Sequence, residues 1–313
     1  MDALLAIGFW YLVLTFAGIN AIFVLGLQVQ VGEAGLVNIG HVAFMLVGAY
    51  SMGLMLTNGV TIWLAIPVAI LLGALFGVLL GIPTLRLRGD YFAITTIAAA
   101  EILRFVVLNQ DGVTGGPQGL INASGPWRGF NRDVLSFFSD TLGVDLDRRV
   151  PLLALTWLVA VVIGLLLIVV SRTPWGRVLR AVRENEEAAA AVGKPVFSYK
   201  LQALALGGAI GAVAGVMFTF ASTSLFPGDF LSNVTFIGFA ILILGGIGSY
   251  LGVIVGSIAI AFVISGPRLL DFPIDAEKVA ALRFVVVGLV MMAVMAFRPQ
   301  GMFGKKEELH LDS

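Results

Sequence analysis

The chain has no cysteine and only two histidines, and charged residues fill just 12% of its 313 positions. Without cysteine there are no disulfides and no thiolate metal sites. The histidines, His41 and His310, stand too far apart in sequence to suggest a histidine-based zinc site. Soluble domains carry roughly 25% charged residues, so a water-facing surface cannot be built for a chain of this length. Lysine plus arginine balance aspartate plus glutamate at 19 each, which implies no bulk attraction to nucleic acid. Enzyme signatures are missing too: there is no G-x-S-x-G, no H-E-x-x-H and no clustered His/Asp set. There is also no G-x-x-x-x-G-K-[ST] nucleotide loop, because Gly193-Lys194 lacks the upstream glycine and the following hydroxyl. No catalytic residue, metal or cofactor is therefore expected.

What is present is apolar: 59% of residues are hydrophobic and the mean hydropathy is +1.00. A spanning helix needs about 20 apolar residues. Such stretches run over 4–27, 36–56, 60–82, 89–109, 150–171, 200–222, 234–247, 249–266 and 280–297. The expected fold is an all-α, multi-pass membrane bundle of about nine helices, a single domain over 1–313. Met1-Asp2-Ala3 carries no basic run, so the first stretch reads as a retained span.

Only 110–149 and 172–199 are long and polar. With 172–199 in the cytoplasm, the inside holds Arg86, Arg88, Arg172, Arg177, Arg180, Arg183, Lys194, Lys200, Arg298, Lys305 and Lys306. The outside holds Arg128, Arg132, Arg148, Arg149, Arg268 and Lys278, and Arg104 and Arg283 fall within spans. Positive residues favour the inside, which puts the N-terminus out, the C-terminus in and 110–149 outside.

Glycines recur every four residues at Gly73, Gly77 and Gly81, at Gly207, Gly211 and Gly215, and at Gly248, Gly252 and Gly256. Such stripes let helix backbones approach closely; the alternative is a glycine-lined pore. Ile39-Gly40, Leu46 and Gly48 recur as Ile237-Gly238, Leu244 and Gly246, each set after a polar break, Gly32-Glu33-Ala34-Gly35 or Pro227-Gly228-Asp229. Interrupted segments in two weakly related halves point to a transport path.

The segment 172–199 reads as one short amphipathic helix, with Thr173-Pro174 as its start and Gly193 and Pro195 as its stop. Arg180–Glu184 and Arg183–Glu187 stand as i,i+4 pairs. Its apolar residues are mainly alanine and valine, too small to anchor in lipid and suited to a groove on a partner protein. A solvated interfacial loop is the plainer alternative.

From Gly176 to Gly193, the run Gly176-Arg177-Val178-Leu179-Arg180-Ala181-Val182-Arg183-Glu184-Asn185-Glu186-Glu187 continues into four alanines, Val192 and Gly193. It resembles the cytoplasmic coupling segment of membrane subunits of branched-chain amino-acid ABC importers, most of all the M-type (LivM-like) subunit. Three further stretches agree: Gly35–Phe44, Leu85–Ile97 with its Leu-Arg-Leu-Arg-Gly-Asp-Tyr start, and Val113–Leu120 with Thr114-Gly115-Gly116-Pro117. The likeness covers about 20–300. It implies a multi-pass inner-membrane permease paired with a second permease subunit. ABC ATPase subunits would dock on the cytoplasmic segment, and an extracytoplasmic substrate-binding protein would deliver an amino acid. The coupling residues it implies are Arg180, Arg183, Glu184, Asn185, Glu187, Ala188, Ala189 and Gly193. The chain itself would be a transport subunit and not an enzyme.

Span four holds Asp90, Glu101 and Arg104 within about 60° of one another at 100° per residue. A charge inside the membrane normally faces protein or water and finds a partner. Glu101 and Arg104 therefore either neutralise each other at i,i+3 or line an outer vestibule. Asn38, His41, Thr95 and Thr96 complete the candidate path, although threonines in apolar helices commonly bond their own i−4 carbonyls and His41 also fits as a satisfied interior histidine. A urea or short-amide importer is an alternative, since no residue reports the size of the cargo. A secondary transporter is a further one, with Glu101 its sole candidate for ion coupling.

Overall fold

The computed structural model describes residues 7–87, 89–142 and 147–269 and, with interruptions, 285–303. It is an all-α bundle. The first span, α1 (Ile7–Gln28), runs into one π-helical turn, Val29–Glu33, and then breaks. After residues 34–41 come α2 (Val42–Thr57), α3 (Ile62–Thr84) and α4 (Gly89–Leu108). The end of the bundle beyond α4, with residues 109–142 and 147–149, is here the upper end. It contains β1 (Leu120–Ile121) and α5 (Gly125–Leu142). Then α6 (Val150–Arg172) descends to the lower end, where α7 (Pro174–Glu184) and α8 (Glu186–Ala191) lie. α9 (Val196–Ala221) climbs back, β2 (Ser224–Leu225) pairs antiparallel with β1, and α10 (Asn233–Gly245) and α11 (Tyr250–Leu269) follow.

α9 is the packing axis, running along α3, α2 and α1. The glycine stripes explain how closely. A Cβ on Gly77 would stand 2.9 Å from the Ala205 Cα, and one on Gly208 would stand 2.9 Å from the Gly73 carbonyl. Lipid offers no hydrophobic drive between helices, so dispersion at such close backbone contacts must supply it. Apolar side chains cover the outside as well: Trp63, Leu71 and Leu79 on α3 and Leu158, Leu165 and Val169 on α6 are all exposed. That surface suits hydrocarbon, where every backbone polar group must be bonded internally.

The structure alters several sequence expectations. Among the described residues, five helices are long and apolar enough to cross a membrane, or six with the α10–α11 pair, bent by 119°, taken as one; α2 is a shorter apolar helix. The stretch 36–56 is therefore helical only from Val42. Gly35 takes a left-handed backbone (φ 67°) that ends the π turn, and residues 39–41 form a turn that leads into α2. The expected ninth span, 280–297, falls partly outside the described residues, as do Arg88, Lys278, Arg283, Lys305, Lys306 and His310.

Two units share one order: long helix, break, short helix, long helix. In the first, α1 descends, α2 climbs from mid-height and α3 descends. In the second, α9 climbs, α10 descends from mid-height and α11 climbs, so the units run in opposite senses. The residue matches seen in sequence set Gly40, ahead of α2, against Gly238, inside α10. Their register is thus not the register of the elements.

Candidate translocation and coupling site

The two short helices meet N-terminus to N-terminus inside the bundle. The Val42 N–H, at the start of α2, donates to Thr235 Oγ1 in the first turn of α10 at 3.0 Å. The Gly40 N–H donates to Thr96 Oγ1, near mid-height of α4, at 3.3 Å. A Cβ on Gly40 would collide with the Thr96 backbone, so only glycine allows this approach. Helix N-termini carry positive partial charge and unpaired N–H groups. Here hydroxyls of neighbouring helices satisfy two N–H groups at the start of α2.

Below this junction lies a fully buried polar cluster. Asn38 Nδ2 donates to Gln30 Oε1 at 2.9 Å, and Gln30 Nε2 donates to the Leu204 carbonyl of α9 at 3.2 Å. His41 places Nδ1 3.0 Å from Gln30 Oε1 and Nε2 3.1 Å from the Phe23 carbonyl of α1. Asn38 and His41 are therefore packed polar groups that hold the break of the first span against α1 and α9. Asn38 Oδ1 alone has no partner there.

The other path residues separate. Thr95 bonds its own Tyr91 carbonyl at 2.7 Å, whereas Thr96 faces the junction. Arg104 Nε and Glu101 Oε2 form an ion pair at 2.8 Å, and Glu101 Oε1 accepts from Ser232 just before α10 at 3.2 Å. The Arg104 guanidinium also lies 4.7 Å from the Phe105 ring centroid, a cation–π contact.

At the upper end, Trp127 of α5 stacks on Phe220 of α9 at 4.6 Å, so α5 is packed onto the bundle and is more than a connector. A cavity of about 620 Å³ opens between α1, α5, α6 and α9, and Arg128, Arg132, Arg148 and Arg149 all line it. In the loop before α10, burial holds the Asp229 carboxyl above the usual carboxylate range, against a hydrogen bond from the Phe226 N–H that lowers it.

The lower end departs most from expectation. The amphipathic stretch is two helices, because Asn185 leaves the helical region (φ −154°, ψ 105°) and its side chain caps Ala188 N at 2.9 Å. The helix ends as expected: Gly193 is left-handed (φ 77°), with Lys194 N bonded to the Ala189 carbonyl and Gly193 N to the Ala190 carbonyl. The i,i+4 pairs give way to longer reaches. Arg180 pairs with Glu33 at 3.0 Å, and Arg183 donates to the Gly32 carbonyl. Ala189 is buried with Val182 and Val196, while Glu184, Asn185, Glu187 and Ala188 stay exposed. Gln30, Glu33, Thr235 and Tyr250 were missed in the sequence. For Glu33, the available signal was a lone carboxylate closing an apolar span.

Residues 10–295 match the model of the family described as branched-chain amino acid transport system / permease component. The chain is 35% identical to the high-affinity branched-chain amino acid transport system permease protein LivM of Salmonella typhimurium, over 92% of this chain and 68% of that one. It is 28% identical to the probable branched-chain amino acid transport permease protein LivM of Methanocaldococcus jannaschii, over 94% and 93%. It is 26% identical to the nucleoside ABC transporter permease protein NupC of Lactococcus lactis subsp. cremoris, over 86% and 87%. No solved structure matches.

Proposed function

The chain belongs to the branched-chain amino acid transport permease family, and from that premise we propose that it forms half of the solute path of an ATP-driven importer for branched-chain or related neutral amino acids. The observation that carries the proposal is the head-to-head meeting of α2 and α10 at mid-height. Interrupted helices whose positive N-terminal ends converge inside a bundle suit a solute that carries a carboxylate. A second, different permease subunit supplies the other half of the path.

In this scheme the lower end faces the cytoplasm. ATPase subunits dock there on exposed residues of α7, α8 and the turn after them, Arg177, Glu184, Glu187, Ala188 and Val192, and supply the ATP hydrolysis. The upper end receives the binding protein. Four arginines around one cavity on the side that normally carries few positive residues suit carboxylates on that protein. The lower cavity, about 410 Å³ and lined by Gly35, Leu36, Asp90, Arg183, Glu186 and Lys200 among others, is the exit.

The test is uptake into proteoliposomes holding this chain with its second permease and ATPases, supplied with the binding protein. Labelled leucine should accumulate only with ATP on the ATPase side. Accumulation of urea or a nucleoside in its place would reassign the cargo. Uptake driven by an ion gradient without ATP would overturn the ABC reading.

A further inference from the structure

Three parts of the chain meet at one carboxylate. Glu33 closes the π turn at the end of α1 and is 4% exposed. Its Oε2 accepts from the Arg180 guanidinium of α7 at 3.0 Å, and its Oε1 accepts from the hydroxyl of Tyr250, the first residue of α11, at 2.7 Å. Neighbouring bonds follow the same lines. Arg183 donates to the Gly32 carbonyl, and the buried Gln28 side-chain amide faces the Gly248 and Ser249 N–H groups of the α10–α11 bend. The lower helix pair is thus bonded to the break of the first span, and that break is bonded to the bend of the second unit.

Stability is a poor reason to hold a carboxylate here, since well-packed apolar residues commonly serve as well as a buried ion pair. What such a pair fixes is relative position. Glu33 closes a single π turn, and such turns recur at functional positions. Eight residues beyond Glu33 lies His41, and the Gln30–Asn38–His41 cluster hangs on the same short segment that joins the π turn to the N-terminus of α2.

We infer that Glu33 is a positioning residue that transmits displacement of the α7–α8 pair to both interrupted spans at once, through Arg180 on one side and Tyr250 on the other. The inference rests on the importer reading above. It separates two roles on α7 and α8: the exposed residues receive the ATPase, while Arg180 and Arg183 face the permease and pass the movement on.

The experiment uses the assembled transporter in proteoliposomes, with ATP hydrolysis and leucine uptake measured in the same vesicles. Glu33→Gln should insert, retain the ATPases and hydrolyse ATP near the wild-type rate, while uptake per ATP falls about tenfold, the size of a typical coupling between sites. Tyr250→Phe keeps the ion pair, removes the hydroxyl that bonds Glu33 and should give a smaller fall of the same kind. Arg180→Gln added to Glu33→Gln should cause no further loss. Unchanged uptake per ATP in Glu33→Gln would overturn the inference. So would uptake and hydrolysis falling in proportion in both Glu33→Gln and Tyr250→Phe, the mark of a merely structural contact. If Glu33→Gln fails to accumulate, Tyr250→Phe decides alone. Absence of ATP-driven uptake in the wild type would overturn the importer reading, and this inference with it.

Discussion

Glu33 and Arg180, 147 residues apart in sequence, form an ion pair at 3.0 Å in which the carboxylate side chain is 5% exposed and the guanidinium 36%. The asymmetry sets the energetics. Arg180 keeps part of its hydration, whereas Glu33 depends on its two partners for nearly all of its hydrogen bonding.

Removing Arg180 should therefore harm the fold more than removing both charges. Arg180→Met leaves a buried carboxylate with only Tyr250, at a cost of about 1–3 kcal/mol after allowing for the exposed guanidinium. Adding Glu33→Gln should recover part of that. Thermal unfolding of the detergent-purified subunit measures both, and strictly additive losses would show that the pair has no coupling.

Sidedness is testable because the chain has no cysteine of its own. Cysteine at the exposed position Asp133 should react with a membrane-impermeant maleimide in intact cells. At the exposed position Glu187 it should react only after permeabilisation. Labelling of position 187 from outside would reverse the orientation.

Glu101 and Arg104 give a second double-mutant cycle. Their 2.8 Å pair is partly buried, with side-chain exposures of 31% and 14%, so a coupling energy of about 1 kcal/mol is expected. Arg104→Met should lower the melting temperature more than the Glu101→Gln/Arg104→Met double variant does. Zero coupling would leave Glu101 as a vestibule residue bonded to Ser232 alone.

Two adjacent alanines should behave differently. Ala189 is 5% exposed and packs with Val182 and Val196. Ala189→Trp should therefore overpack the α7–α8 junction, at about 1–3 kcal/mol of stability, and lower the amount of folded subunit. Ala188 is exposed. Ala188→Trp should leave the subunit abundant and thermally normal but reduce ATPase recovered in a pull-down, with uptake lost in parallel. Full ATPase retention in Ala188→Trp would move the docking surface elsewhere.

Local chemistry made much of this legible. The shortage of charge required lipid, since nothing else could face the outside of the bundle. The stripe of Gly73, Gly77 and Gly81 marked the face that meets α9, because a small side chain is what a close backbone approach needs. Thr173-Pro174 and Gly193 marked the ends of the lower segment, because their backbone preferences act within a few residues. Asn185 carried a readable signal too, an N-cap ahead of two glutamates, which continuous helical periodicity hid.

Tertiary structure decided the partners. On α7 the i,i+4 rule offered Arg180 to Glu184 and Arg183 to Glu187, yet both arginines reach the break after α1. The exposed glutamates are hydrated, and a pair with them gains little. Glu33, buried at the end of its span, has no water to turn to, and Arg180 can reach it while keeping its own head partly wet. The meeting of α2 and α10 was likewise beyond sequence, since Thr235 and Val42 come together only because the two units fold in opposite senses about α9. Composition and periodicity act along the chain, whereas desolvation of a particular charge depends on what the fold brings over it.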